Sequence, residues 1–489
     1  MRASSSPIRQ GSSQGAALSP LALAILLVGG FITAFDIFVV NIAIPSIQTD
    51  LGANFSQIGL IVAGYALSFG AFLIAGGRLG DRYGRRKVFV HGLSAFTAAS
   101  LLCALAPDPV SLIAARVLQG AASALLVPQV YTLLRVAYDE SGRRRAFARL
   151  GATLGFAAIS GQILGGVIVW LDPFGVGWRA VFLLNLPIGL AAIAMARVIP
   201  ESTAPDTPRL DWFGIGLASL GATLLLGCLL DGGESGWSIW TAIGVVAALL
   251  LCGGFTLWER HLARTCGTPA IDPRIFAQSG FSVGLVIVLL IYATPTSFFL
   301  CFALLLQTGF DLSPLAAASQ LTPMSVGFIA ASLIAPRLVA WRGNQAIVAG
   351  MGIYAVGFFW VATRPLEFAT PSVALLCGMV GFGFGQGLSA TPLLNFAIGF
   401  VEKRHAGMAA GVISTMQQVG GAFGISLVGI AFTASLATHS LEGETTALRY
   451  AHAFSAAMAC NVGATAIAAA LLAWISRNPS AAACNSGGK

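Results

Sequence analysis

Asp36 and Arg116 are the two charges that this sequence places deep inside long apolar runs. The chain has nineteen acidic side chains. Asp36 alone sits well within such a run, and nearly all the others fall in loops or at run ends. Arg116 is the one Lys or Arg in a comparable place. An ionisable group at membrane depth costs at least ~2.5–3.5 kcal/mol on insertion scales, so both are functional candidates. A buried guanidinium needs an acceptor, and Asp36 is the evident one. Two readings of the pair stay open. In one it permanently locks the first helix to the fourth. In the other a proton on Asp36 loosens the bond to Arg116, so that the pair switches. At about 100° per residue, Gly29, Thr33, Val40 and Ala43 share the Asp36 face of a helix. Phe31, Phe35, Phe38 and Ile42 cluster roughly 100–160° away, where they are expected to meet lipid or a neighbouring helix. Arg116, Gln119, Gly120 and Ser123 recur at the i, i+3, i+4, i+7 spacing of one helical face.

The elements that must hold these charges are membrane helices. Hydrophobic residues make up 56% of the 489 positions, charged residues 9%, and mean hydropathy is +0.83. A soluble chain carries about 25% charged residues. About fourteen apolar spans of bilayer length can be laid along the sequence, predicting an all-α integral membrane protein. The eight cysteines are scattered, mostly in apolar runs, so neither a disulfide framework nor a metal site is expected. No nucleotide loop or catalytic dyad appears, and no cofactor is implied.

The net charge of +8 is a signal of topology. With the N-terminus in the cytoplasm, 23 of the 27 Lys and Arg fall in the tails or beside even-numbered spans. Arg179, Arg364 and Arg449 fall on the other side. This asymmetry predicts cytoplasmic termini and an even helix count. No nucleic-acid partner is implied. The first apolar run is too long for a signal-peptide core and is expected to remain as the first helix.

The expected organisation is a disordered cytoplasmic tail (1–20), six spans (21–200), a polar proline-containing linker (201–211), two further spans (212–258), a cytoplasmic loop (259–280), six spans (281–475) and a cytoplasmic tail (476–489). The segment Gly76-Gly77-Arg78-Leu79-Gly80-Asp81-Arg82-Tyr83-Gly84-Arg85-Arg86-Lys87-Val88 lies between the second and third spans. Its glycines allow close helix approach and a sharp reversal. Its arginines hold the turn in the cytoplasm. Asp81 can pair with them or cap the next helix. A weaker echo, Arg337 to Gly343, follows the tenth span and lacks the aspartate. Gly161-Gln162-Ile163-Leu164-Gly165-Gly166 is echoed by Met416-Gln417-Gln418-Val419-Gly420-Gly421, with Gln162 aligned on Gln417. These matched places suggest an internal repeat of six-helix halves.

The 76–88 segment closely resembles the helix 2–helix 3 loop signature of the major facilitator superfamily, a large family of secondary transporters. Phe35 to Pro45 resembles the first-helix signature of that family's fourteen-helix drug:proton antiporters, with Phe38 where a threonine is usual. Leu112 to Gly120 matches the fourth-helix signature, and Gly161 to Gly166 resembles the fifth, with Gln162 where a proline is usual. Trp178-Arg179 and Asn185-Leu186-Pro187 fit the sixth-helix start.

The resemblance spans nearly the whole chain. It implies two pseudo-symmetric six-helix bundles plus two extra central helices, in a bacterial cell membrane, acting as a monomer. It implies proton-coupled export of small lipophilic compounds by alternating access, without enzymatic chemistry. Asp36 would carry the proton and Arg116 tune it. Asn41, Gln119, Gln162 and Gln417 would line the substrate cavity. Gly77, Arg78, Gly80, Asp81, Arg82, Gly84, Arg85 and Arg86 would form a conformational gate, and Gly120, Gly161, Gly165 and Gly166 would pack helices. With a single deep carboxylate, the substrate is expected to be neutral or singly cationic. A transporter of one defined metabolite is the alternative, and a membrane receptor or enzyme a weaker one.

Overall fold

The computed structural model describes residues 18–203, 211–235, 238–265, 275–276, 278–401, 406–440 and 444–477. Among them there is no strand. The helices in chain order are α1 Pro20–Leu51, α2 Phe55–Tyr83, α3 Arg85–Ala104, α4 Pro109–Ala137, α5 Glu140–Leu171, α6 Ala180–Leu183, α7 Asn185–Met195, α8 Trp212–Ser235, α9 Ile239–Arg264, α10 Ser279–Ala303, α11 Pro314–Ser319, α12 Thr322–Arg342, α13 Asn344–Ala362, α14 Val373–Ile398, α15 Ala406–Ser440 and α16 Thr446–Arg477. Among the described residues, thirteen helical stretches are long and apolar enough to cross a membrane. The remaining expected span is α8, 24 residues long, whose described apolar stretch is Trp212–Leu225.

Local sequence explains where these helices start and break. Ser19, Asn54, Asp108, Ser238, Ser313 and Ser372 each cap a helix by accepting from a first-turn amide. At Asp108 the Ser111 amide, with the Ser111 hydroxyl and the Val110 amide, holds the carboxyl below its ordinary range. The sixth span is interrupted between α6 and α7, because Pro187 has no N–H to bond the carbonyl of Leu183. Pro323 similarly begins α12 after the short α11. Helix α9 runs on to Arg264, so the expected loop at 259–280 begins later than the charges alone suggested. The expected tails and linker lie largely outside the described residues.

The two sets of six pair in the same way. α1 packs on α5 as α10 packs on α15, α2 on α4 as α12 on α14, and α3 on α4 as α13 on α14. Small residues form the close contacts at equivalent places. A methyl at Gly161 or Gly165 would meet Phe38 or Val39 of α1, and one at Gly420 would meet Leu289 of α10. Gly120 abuts the Tyr65 carbonyl, as Gly383 abuts that of Met324. Gly84 and Gly343, which end α2 and α12, both have positive φ, +108° and +59°. The echo between residues 78–84 and 337–343 is thus an echo of turn geometry. Helices α8 and α9 pack on each other, and α8 lies against both α2 and α15. The outer surface is apolar: Leu250, Leu257, Leu333 and Val356 are each at least 65% exposed, as a lipid-facing surface requires.

Two of the three minority arginines are in ion pairs. Arg179 donates to Asp50 at 2.6 Å, where Trp178 also donates at 3.0 Å, and Arg364 donates to Glu367 at 2.9 Å. Both pairs lie at the end of the bundle opposite the α2–α3 turn.

Candidate functional site

Asp36 and Arg116 meet inside the first half. Asp36 is 0% exposed and Arg116 1%. Arg116 Nη1 is in direct ion-pair contact with Asp36 Oδ2 and also donates to Gln119 Oε1 at 2.6 Å. Arg116 Nε donates to the Ile61 carbonyl at 3.2 Å. Asp36 Oδ1 accepts from Gln119 Nε2 at 2.8 Å and from Asn185 Nδ2 at 3.2 Å. The same two amides donate to Ser100 Oγ at 2.9 and 3.3 Å. The guanidinium stacks over the Tyr65 ring, 4.4 Å from its centre, and Tyr65 Oη shares a hydrogen bond with Ser123 at 2.8 Å. Five helices (α1, α2, α3, α4 and α7) therefore contribute to one buried polar cluster around Asp36. A buried ion pair persists only when its remaining donors and acceptors are also met, and here they nearly all are. Asn185 Oδ1 is the exception, with no hydrogen-bond partner among the described residues.

A cavity of about 330 Å³ lies next to this cluster, between the two halves. Arg116 and Tyr65 form part of its wall, whereas Asp36 stands behind them. Asn41, Gln162 and Gln417 line it, together with Gln386 and Gln418. Tyr292 lines the cavity with Gln417. Asn41 Nδ2 donates to the Ile37 carbonyl at 2.9 Å, and its Oδ1 is buried without a hydrogen-bond partner among the described residues. The cavity lining contains one cation and no carboxylate.

One sequence-based expectation is corrected here. Gln119 is fully buried, and its amide serves Asp36, Arg116 and Ser100; it does not face the cavity. Phe38 meets a neighbouring helix, one of its two expected surroundings, through Phe299 of α10 edge-on at 6.0 Å, and it also lines the cavity. Phe31 and Phe35 do stack on each other, 5.6 Å apart. Residues that the sequence reading missed are Tyr65 and Ser100, and for Asn185 a role at the carboxylate. A polar side chain inside an apolar run was the available signal.

Away from the cavity, the 76–88 turn is clasped to the segment after α7. Arg85 donates to Asp81 at 2.7 Å and to Ser202 at 2.9 Å. The Arg86 and Lys87 amides donate to the Glu201 carboxylate at 3.0 and 3.3 Å. Any side chain at Gly84 would run into that carboxylate. Gly76 and Gly80 abut Ala124 and Gln129 of α4, whereas Gly77 is less crowded. Arg82 lies over the ring of its neighbour Tyr83. Arg78 points elsewhere, into the field of Asp211 and Glu259 on the α8–α9 pair. The turn thus joins α2, α3, the post-α7 segment and the extra pair without touching the cavity. Asp81→Ala and Glu201→Ala are each expected to lower turnover several-fold while leaving substrate affinity within about twofold. Transport rates beside equilibrium binding check this, and loss of binding at normal turnover would contradict it.

The opposite end of the bundle is closed across the halves. Gly166 of α5 touches Pro314 and Ala318, Gln307 Nε2 donates to the Ile42 carbonyl at 3.0 Å, and the Phe55 and Phe432 rings stack at 5.7 Å. From Gln162 the cavity runs along α5 to Gly155 and along α12 to Ile329, toward the α2–α3 turn.

Two helical halves around a central cavity, with a buried ion pair in its wall, define a polytopic membrane transporter. Residues 26–425 match the family model described as "Major Facilitator Superfamily", and the chain belongs to that family. It is 36% identical over 415 residues to the probable actinorhodin transporter of Streptomyces coelicolor, spanning 84% of this chain and 72% of that protein. It is 34% identical to the cephamycin export protein CmcT of Amycolatopsis lactamdurans, spanning 86% of each. It is 32% identical to the puromycin resistance protein pur8 of Streptomyces alboniger, spanning 93% and 90%. The fold is that of the POT family transporter PepTSo, with a TM-score of 0.66 at 15% identity, covering 94% of this chain and 99% of that one. It is also that of a bacterial homologue of the lysosomal transporter Spinster, with a TM-score of 0.63 at 15% identity, covering 96% and 100%. The chain is a transporter that carries small molecules across a membrane, and it is not an enzyme.

Proposed function

We propose that the protein exports lipophilic small molecules from the cytoplasm of a bacterial cell in exchange for protons, acting as a monomer with both termini cytoplasmic. The observation that carries this reading is the placement of Asp36 one side chain behind the cavity wall, with Arg116 and Tyr65 between it and any substrate. When Asp36 is ionised, Arg116 is held against it and the Tyr65 ring is held against Arg116. A proton on Asp36 removes the charge that anchors the guanidinium, so Arg116 and Tyr65 become free to change the cavity wall. Substrate and proton then bias the same element in opposite directions, which is what exchange requires. The relatives named for cephamycin export and puromycin resistance support the direction, and the lysine and arginine asymmetry supports the orientation. In that orientation the closed end faces outside and the cavity runs toward the cytoplasm.

The lining sets the substrate class. Phe38, Phe299 and Phe328 offer aromatic surface, and Asn41, Gln162 and Gln417 offer amide groups. With Arg116 in the wall and no carboxylate in the described cavity lining, a dication would enter without a compensating charge. Neutral amphiphiles are expected to be exported best, monocations less well and dications at least tenfold less well. Resistance of pump-deficient cells to a matched series of such compounds tests this. Strong export of dications that depends on Asp36 would overturn it. Gln417→Leu is expected to change the order of substrates within that series and to leave proton coupling intact.

A further inference from the structure

A second cluster of titratable side chains lies outside the cavity lining and joins the last two helices. His439 is in the last turn of α15, Glu444 is in the connection, and His452 is in the second turn of α16. One ligand atom from each of the three lies within 4.8 Å of the others. The imidazole rings are 4.3 Å apart, edge to face. His439 Nδ1 is 2.9 Å from the Ser435 carbonyl. A carbonyl only accepts, so Nδ1 carries the proton and Nε2 presents its lone pair. A backbone carbonyl that fixes the tautomer in this way is the usual support of a metal-bound histidine. His452 Nδ1 and Glu444 Oε2 are 3.5 Å apart, and both atoms are shut off from solvent with no hydrogen-bond partner among the described residues. With its Nδ1 unprotonated, His452 and the Glu444 carboxylate oxygen offer two ligand atoms to one cation at that spacing. The His452 side chain as a whole remains 41% exposed, which gives an ion a path in.

We propose that His439, Glu444 and His452 form a binding site for a divalent transition-metal ion of the zinc class, which fastens α15 to α16. Two imidazoles and a carboxylate suit zinc, with water as a fourth ligand. Bonds of ~2.0–2.1 Å place tetrahedral ligand atoms about 3.3 Å apart, so side-chain rotation alone closes the set. Hard cations such as magnesium are poorly matched by two imidazoles. The site lies at the closed end of the bundle. Helix α15 carries there the Phe432 ring that stacks on Phe55 of the other half. A bound ion therefore steadies one side of the contact that must part when this end opens.

The test uses the purified full-length protein in detergent, without a polyhistidine tag and stripped with a chelator. Zinc chloride is titrated by calorimetry, and cobalt(II) is added separately as a spectroscopic probe. One equivalent of zinc is expected to bind at micromolar or tighter affinity, with no competition from excess magnesium. Cobalt is expected to show the visible d–d absorption of a four-coordinate ion. His439→Ala, His452→Ala and Glu444→Gln should each weaken zinc binding at least tenfold, and the double histidine variant should lose it. Unchanged elution volume and metal-free unfolding temperature would show that the variants are folded. Absence of saturable zinc binding to the wild-type protein would overturn the proposal. So would undiminished binding by the folded double variant. Should a variant fail to fold, the wild-type cobalt spectrum decides alone, because a spectrum of six-coordinate aquo ion contradicts the site.

Discussion

Asp36→Asn is expected to abolish proton-driven export while leaving the protein inserted, folded and able to move substrate down its gradient. The substitution keeps the shape of the side chain and removes its only titratable group. Arg116 loses its counter-charge but retains the Gln119 Oε1 and Ile61 carbonyl acceptors and the Tyr65 ring. Folding should therefore survive, since the guanidinium keeps partners that can follow it. Uphill efflux in proteoliposomes with an imposed pH gradient should fall at least 100-fold, to the level of empty vesicles. Substrate counterflow without a gradient should stay within a few-fold of wild type. Normal uphill efflux by the asparagine variant would remove Asp36 from the coupling step. Loss of both activities together would favour the permanent lock, in which the pair only holds α1 to α4.

Arg116→Ala should be the more damaging change. It leaves a carboxylate at zero exposure with only the Gln119 and Asn185 amides as donors. Removing one member of a buried pair costs roughly 3–5 kcal/mol, enough to lower membrane yield and the unfolding temperature. Arg116→Lys should restore folding only in part. One ammonium cannot serve Asp36, Gln119 and the Ile61 carbonyl in the fixed geometry of a guanidinium, nor lie flat on Tyr65. The combination Asp36→Asn with Arg116→Ala should be more stable than Arg116→Ala alone, because no orphan charge remains. That recovery of stability without recovery of uphill transport would separate the structural work of the pair from its coupling work. A double variant destabilised by the sum of the two single changes would mean that the two side chains are not energetically linked.

Much of this arrangement was legible because membrane burial makes charge rare. With so few polar groups inside the spans, Asp36 and Arg116 could be paired from the sequence before either was placed. The repeated Gln-x-x-Gly-Gly pattern carried Gln162 and Gln417 to the same cavity from opposite halves. The glycine-rich turn between α2 and α3 was legible from its charges, but its partner was not. Nothing in residues 76–88 announces that Glu201 and Ser202 will receive the Arg85 and Arg86 backbone and side-chain donors.

The errors have one physical source. A helical wheel gives the angle between residues but not which neighbour lies at each angle. On α1 the acid does not mark the side that faces the cavity. Asp36 points into its own half, toward α3, α4 and α7. Phe38 and Asn41, about 140–160° around the helix, point across to the other half. Gln119 failed for the same reason. It shares a face with Arg116, but one turn separates a side chain at the cavity wall from one sealed behind it. The break between α6 and α7 was available in principle, since Pro187 removes the donor that would carry the helix through.

The central claim is that a single carboxylate exchanges its proton for substrate across the Arg116–Tyr65 wall. The most direct measurement is proton release on substrate binding by the detergent-solubilised protein, followed by a pH-indicator dye in weakly buffered solution. The wild-type protein is expected to release up to one proton for each molecule of a neutral exported compound bound. Asp36→Asn should bind the same compound and release none. Equal proton release from Asp36→Asn would contradict the account, because the exchanged proton would then reside elsewhere in the chain.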